Sequence, residues 1–535
     1  MQQLNRIVSV NVRLRFDRDC KGIMRANMRV RAMSPREIRR TSLGFALAIA
    51  SLSGTGCILS PEVPQPELEL PGAYIKTSAN PKAASSPYDF AVFKSKRLAE
   101  LIARSRGFNL SVAAAIAQIQ QAEAQVRIAV QPLIPTVQAE GNGQATLTPA
   151  RGGGSGVVTG SGGTVITSGG SGPTRSSLFT GQLTASYILD IWGKNQAALN
   201  AAESNEYAAS FNAAAVAILT DSTVASTYFQ AVATQKQIDI AKQNLAIAER
   251  TLNAIQARQR VGTASGLDVA QQQTLVYNVQ VTIPPLERQL QQFAHALAVL
   301  VGTAPEFYHF KGEDLNSIAV PRIDSGLPSD LLCRRPDIAN AEAQLAGASF
   351  NVSSARAALF PTIQLTGAGG YESVALATLF QPQNVFYNAA LGLTQPLTNL
   401  YQLRAQLDQN KAIYGQLLDT YRNTIITAFQ NVEDALVAYR KNAEQERIQT
   451  LAVMSARKAF QFSEAQLKGG IIDITALLSI EQTLFTAENA LVLVRLSRLQ
   501  AAVSLYQALG GGWRKPPLAG VAEVPSLIEV RAKTQ

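Results

Sequence analysis

The stretch PTVQAEGNG begins at Pro135, and PTIQLTGAGG begins at Pro361, 226 positions later. Other phrases recur at a common spacing. Gly262 in RVGTASGLDV and Gly470 in KGGIIDITAL are 208 apart, as are Gly302 in VLVGTAP and Gly510 in QALGGGW, and Val224 and Val432. Three anchors in register predict one domain built from two similar halves of about two hundred residues, not a solenoid of repeats roughly 20–50 residues long. The difference between 226 and 208 has a local source, because only the first half carries RGGGSGVVTGSGGTVITSGGSGP after its phrase. Whatever one half forms, the other must form again.

Proline and glycine punctuate that unit. Residues 89–130 are rich in Ala, Gln and Leu and read as helix, closed by Pro132 and Pro135. The segments TVQAEGNGQATLT and SLFTGQLTASYILDIW alternate apolar and polar residues, the period of a strand. They predict a strand hairpin over 135–192, with the Gly-rich run 152–172 as its loop. No proline then occurs from Lys194 to Thr282. Val224, Ala231, Ile238, Leu245 and Leu252 repeat every seven residues, with Thr227, Ala241, Ala248 and Ile255 between them, a coiled-coil seam. A helical hairpin is expected over 194–301, turning at Gly262–Gly266 and bending at Pro284-Pro285. The second half repeats the order: a helix from Pro336, a strand hairpin over 361–398, and a helical hairpin over 401–509 turning at Gly469-Gly470. Leu477, Ile480, Leu484, Ala487, Leu491 and Val494 carry its seam. The domain reading is 1–56 extension and signal segment, 57–110 tether and first short helix, 111–305 first repeat, 306–335 linker, 336–513 second repeat and 514–535 tail.

The net charge of +10 is concentrated at the N-terminus. Residues 1–56 hold 11 Lys/Arg against 3 Asp/Glu, and the rest holds 37 against 35. No basic stripe interleaved with aromatics is present, so nucleic acid is not an expected partner. Arg36, Arg39 and Arg40 precede an apolar run of ten, Leu43 to Leu52, then Ser53, Gly54, Thr55, Gly56 and Cys57. This is the layout of a secretory signal, too short to span a bilayer. Met33 offers a second start, which would leave residues 1–32 untranslated. A Cys directly after small residues resembles a bacterial lipobox, although Gly54 stands where a Leu-like residue is usual. Cys57 is therefore the expected lipidation site and mature N-terminus, followed by a Pro-rich tether over 58–87.

Nothing in the chain points to an enzyme. The two histidines, His295 and His309, lie far from any cysteine cluster, so no zinc spacing exists. The Gly-rich run lacks the Gly-Lys-Ser/Thr of a phosphate loop and the G-x-S-x-G of a hydrolase. No cofactor is expected beyond lipid on Cys57. Cys333 is left as a lone cysteine in the mature chain and reads as a packed thiol. Arg335 and Asp337 read as fixing a helix start.

Two strand hairpins leave four sheet edges, which are unfavourable in water and worse in lipid. Four strands cannot close around a lumen, so several copies must share one barrel, and long seamed helices could continue it as a hollow cylinder. At this point the chain closely resembles the TolC-like outer membrane factors, in the lipoprotein branch that serves drug-efflux pumps. The resemblance covers nearly all of residues 57–513. It is carried by Cys57, Leu189-Asp190-Ile191-Trp192-Gly193, Arg334-Arg335-Pro336-Asp337-Ile338, Ala358-Leu359-Phe360-Pro361, the turns at Gly262 and Gly470, and Leu509-Gly510-Gly511-Gly512-Trp513.

That resemblance implies a mixed α and β membrane protein. Three copies form a homotrimer with a shared twelve-stranded barrel in the outer membrane of a Gram-negative bacterium, continued by a periplasmic α-barrel. The partners it implies are a periplasmic adaptor (membrane fusion) protein, an inner-membrane transporter and outer-membrane lipid. The channel is a passive duct for small molecules. Adaptor contact falls on the hairpin tips, here Arg260, Val261, Gly262 and Thr263, and Lys468, Gly469, Gly470 and Ile471. The family often places an Asp and an Arg, as part of a periplasmic gate, where this chain has Ser479 and Gln482. Closure is then expected to rest on packing near Leu467, Ile472 and Leu477, with Asp473 as the nearest acid that could replace the missing charge. Two other readings remain open: the duct of a type I protein secretion system, and a lipid-anchored coiled-coil scaffold without a pore.

Mass spectrometry of the membrane-extracted protein should find acyl mass on Cys57 at the mature N-terminus. Cys57→Ser should lose the anchor while keeping the assembled barrel, because closed strands insert without acyl help. A mature chain that starts elsewhere contradicts the assignment.

Overall fold

A computed structural model describes residues 90–149, 157–160, 163–166, 174–321 and 331–513. The chain divides into Met1–Gly56 and Cys57–Gln535, and the first unit lies outside the described residues, as does Cys57. In chain order the main elements are α1 (Lys96–Phe108), α2 (Leu110–Val130), β1 (Thr136–Thr148), β2 (Val157–Gly160), β3 (Gly163–Ile166), β4 (Thr174–Leu189) and α3 (Lys194–Arg260). They continue with α4 (Gly266–Gln280), α5 (Ile283–Leu300), α6 (Pro336–Ala357), β5 (Thr362–Ser373), β6 (Val385–Thr394), α7 (Leu400–Lys468) and α8 (Ile474–Ala508).

The four long strands form one antiparallel sheet in the order β1-β4-β5-β6. The two hairpins are thus joined: β4 pairs with β5 from Phe179↔Ser373 to Leu189↔Ile363. Two edges remain, β1 and β6, rather than the four that separate hairpins imply. Register puts odd-numbered residues of all four strands on one face, where Val137, Leu183, Leu365, Tyr387, Leu391 and Leu393 are exposed. The even face carries Gln138, Glu140, Gln182, Thr184, Gln364 and Asn388, with Gln182 donating to Glu140 at 2.9 Å and Gln364 to Ser186 at 2.8 Å. An apolar outer face and a polar inner face at period two are the pattern of a membrane barrel. The Gly-rich run is not plain loop, since β2 and β3 pair within it as a short ribbon.

The helices grow out of the strand ends. After β4, Asp190 accepts a hydrogen bond from the Gln196 amide at 2.8 Å, and Gly193 turns the chain at φ 71° into α3. Trp192 stacks on Phe360 at 4.8 Å and donates to the Pro361 carbonyl at 2.8 Å, so the Leu189–Gly193 and Ala358–Pro361 motifs meet where strands become helices. α3 has 67 residues and α7 has 69. At 1.5 Å per residue each is about 100 Å long, some three times the hydrocarbon thickness of a bilayer. α3 and α8 contain stretches as apolar as a membrane span. Both helices also bury residues against their neighbours, among them Val224, Ala231, Ala248 and Leu477. The helical run over 89–130 is interrupted at Asn109, whose side chain accepts from the Ser111 and Val112 amides and caps α2. The return helix also breaks, after Gln280, and restarts at Ile283 with Pro284 in its first turn.

Helix ends in the two halves are built alike. Gly302 follows α5 at φ +69°, and a Cβ there would lie 2.2 Å from the Phe108 carbonyl. Gly510 follows α8 at φ +89°, and a Cβ there would lie 2.0 Å from the Arg334 carbonyl. The neighbouring Arg335 is buried, pairs with Asp337 at 2.6 Å and donates to the Ala508 carbonyl at 3.2 Å, so the Arg-Arg-Pro-Asp and Gly-Gly-Gly-Trp motifs form one joint. Cys333 is exposed, contrary to a packed thiol, because the turn at 332–334 lifts it off the cluster that buries Leu331. The linker at 315–318 is pinned to α8 by Arg495, which donates to the Leu315, Asn316 and Ile318 carbonyls and pairs with the buried Glu446 at 2.9 Å.

Gly510→Ala should destabilise the protein more than Gly470→Ala in thermal unfolding. Gly470 also has positive φ but has open space at its Cβ position. Its substitution therefore carries only the left-handed strain of roughly 1–2 kcal/mol. Equal losses would show that the close approach at Arg334 is dispensable.

Candidate functional site: the paired helical tips

α3 ends at Arg260 and its last turn closes on Gly262, φ +79°. The Gly262 amide donates to the Gln259 carbonyl and the Thr263 amide to the Arg258 carbonyl, both at 2.9 Å. α7 ends at Lys468 and closes on Gly470, φ +71°, with the Gly470 amide on Leu467 at 3.1 Å and the Ile471 amide on Gln466 at 2.9 Å. Both tips therefore use the same paired C-terminal bonds, and both need the left-handed residue that glycine supplies. The helices that leave the tips are capped by side chains. Ser265 and Asp268 form a reciprocal capping box on α4, and Asp473 accepts from the Ala476 amide at 2.9 Å on α8.

The tips lie side by side. Arg258 reaches across to the Leu467 carbonyl at 3.5 Å. An apolar plug joins them: Ile255, Ile474 and Leu477 are buried, with Ala264, Val269, Phe460, Leu467 and Leu478 packed around them. Beyond the plug, Val261 and Ile471 are each 74% exposed at the two turns. Arg260, Thr263 and Gly469 are exposed with them.

The residues singled out as a gate fall into two groups. Leu467 and Leu477 belong to the plug, and Ile472 is half-buried at its rim. Ser479 and Gln482 are exposed on the other face of α8, uncharged. Asp473 is exposed, and its carboxylate is engaged as a helix cap.

One residue went unnoticed in the sequence. Glu481 sits between Ser479 and Gln482 but faces inward and is 0% exposed. Neither of its oxygens has a hydrogen-bond partner. Burial, and secondly the charge of Glu464, push its carboxyl up to about 7. The signal was present: Leu477, Glu481 and Leu484 are spaced four and three, so a carboxylate occupies a seam position.

The family of outer membrane efflux proteins matches residues 101–303 and 327–511, both halves of the chain. The chain belongs to that family. The Pseudomonas aeruginosa pyoverdine export outer membrane protein OpmQ is 36% identical over 79% of this chain and 86% of its own. The Pseudomonas putida toluene efflux pump outer membrane protein TtgC is 31% identical over 88% of this chain and 95% of its own. The solved open state of the Neisseria gonorrhoeae MtrE outer membrane channel superposes with a TM-score of 0.74 at 27% identity, over 86% of this chain and 99% of that one. The fold is accordingly that of a TolC-like outer-membrane channel, and the protein is an outer-membrane efflux protein whose long helices extend into the periplasm.

For this efflux protein, Leu477→Ala should remove about 2–5 kcal/mol of local tip stability. Ser479→Ala and Gln482→Ala, both exposed, should change it by no more than about 0.5 kcal/mol. Closed-state conductance in planar bilayers should rise only for Leu477→Ala. A comparable rise for the exposed pair would place the latch on the outer face of α8.

Proposed function

We propose that three copies of this chain form a passive duct, the outer-membrane part of a tripartite pump that exports small molecules. The observation that carries this reading is the open sheet, β1-β4-β5-β6, with its apolar and polar faces and two bare edges. In lipid every backbone donor and acceptor needs a partner, so the edge β1 must meet β6 of another copy. The order is antiparallel throughout, and closure between copies keeps it so. Two copies give eight strands, a number whose interior side chains fill. Three give twelve and leave a lumen, lined by the polar even face.

The tips are the end remote from the barrel and present Val261 and Ile471 to solvent. We assign them to contact with a periplasmic adaptor protein, which in turn engages an inner-membrane transporter that supplies the energy. Lipid on Cys57 anchors the N-terminal tether to the same membrane. The two relatives are named for pyoverdine and for toluene, unlike cargoes carried by one architecture, which supports a path that leaves selection to the transporter. The similarity of the two halves is consistent with an internal duplication, which we propose as the origin of the alternating joints at Gly302 and Gly510.

Native mass spectrometry of the detergent-extracted protein should give a mass of three chains, and single-channel recording should show a conducting pore. A stable monomer or dimer, or a trimer that never conducts, would sink the duct.

A further inference from the structure

The buried stripe of α8 near the tips runs Ile474, Leu477, Glu481, Leu484. Glu481 lies one turn beyond Leu477 and Leu478 of the apolar plug. Gln272 of α4 lies one turn beyond Val269 of the same plug and is also 0% exposed. Its Nε2 donates to the Ala248 carbonyl at 2.9 Å, which leaves its Oε1 without a partner. Above the plug the paired tips therefore bury three acceptor oxygens without donors, two on Glu481 and one on Gln272.

Among the described side chains of the surrounding helices no cation pairs with Glu481, and Lys458 of α7 is exposed. From α7 the ionisable group beside Glu481 is Glu464, half-buried and of like charge, next to the buried Ser463. Arg457 of α7 is exposed and paired with Glu488 of α8 at 2.5 Å. From α3 the face turned inward is Ala248 and Ile255, while Glu249 and Arg250 are exposed, and Arg258 lies tipward with a bond to the Leu467 carbonyl. From α4, Asp268 is held in the capping box with Ser265. Asp473 of α8 caps its own helix. A carboxylate here is a bare buried charge, whereas a carboxylic acid is neutral and can itself donate.

We propose that Glu481 is a proton-binding site that governs the cohesion of the two tips, which hold together when it is protonated and loosen when it is not. The direction follows from linkage. The folded carboxyl titrates near 7 and the unfolded one near the ordinary value of about 4.3. The stabilisation is complete below the unfolded value and is lost as pH rises through the folded one. An exposed acidic ring would instead titrate in the range of ordinary carboxylates. The consequence for conduction rests on the duct reading; the proton site does not.

The test is hydrogen–deuterium exchange of the full-length assembled protein in detergent, read by mass spectrometry on peptides covering 255–276 and 460–485. After correction for intrinsic chemistry, protection in these peptides should fall by at least about tenfold between roughly pH 5.5 and pH 8. In Glu481→Gln it should stay nearly constant, and in Glu464→Gln the midpoint should move to lower pH. A Glu481→Gln protein that keeps the wild-type pH profile overturns the proposal. Should that variant fail to assemble, infrared titration of the wild type decides: a protonated carboxyl band must persist above the range of ordinary carboxylates and vanish near pH 7, and its absence there overturns the proposal. Planar-bilayer recording reads the duct separately. Wild-type protein whose exchange titrates but which never conducts leaves the proton site standing and removes the duct.

Discussion

The structure depends on a single requirement: a backbone in lipid must find every hydrogen-bond partner within protein. This chain supplies four long strands and leaves β1 and β6 each with one bare side. That shortfall makes the protein an obligate part of something larger, and it dictates the rest. The apolar odd face and polar even face have meaning only if the sheet closes. The register between β4 and β5 matters because it merges two hairpins into one panel whose faces agree across all four strands. A one-residue slip would turn Leu183 and Leu365 inward and send Gln182 and Gln364 to lipid.

The helices answer a second version of the same problem. A helix about 100 Å long with a narrow apolar stripe is not stable alone; it needs neighbours along its whole length. α3 is packed by α2, α4, α5, α6 and α8 in turn, so its buried residues change side as the neighbours change. Small residues such as Ala225, Ala231 and Ala248 permit those close crossings. At the joints glycine does the work, with Gly302 against Phe108 and Gly510 against Arg334. The motifs that carry the family resemblance are pairs of surfaces that touch: Trp192 with Pro361, Arg335 with Ala508. Their role is architectural, and it is why they occur at the transitions between barrel and helix.

Much of this was legible in the chain because proline and glycine mark its boundaries. The strand hairpin expected over 361–398 is Thr362–Ser373 with Val385–Thr394, and the helical hairpin expected over 401–509 is Leu400–Lys468 with Ile474–Ala508. What escaped was non-local or side-chain-specific. The β4–β5 pairing joins Phe179 to Ser373, and no local pattern announces a partner so distant. The pairing of β2 with β3 hides in glycine-rich sequence without alternation. Cys333 was expected inside because cysteine usually is, but a short turn puts it outside. Glu481 was visible as a charge in an apolar stripe, yet only packing shows that no partner reaches it.

That last case changes how the tips are understood. A gate made of opposed charges around a pore axis works through forces between copies, screened by the water of the lumen. Ser479 and Gln482 remove that option at their positions. The plug of Ile255, Leu477 and their neighbours works within one copy, between its own two hairpins, where water is absent. Burial makes a single ionisation far more consequential there than at an exposed ring, because no solvent relaxes around the new charge. The same burial moves the titration toward neutrality. A tip without charges at Ser479 and Gln482 thus retains a responsive element in the interior of its own hairpin pair.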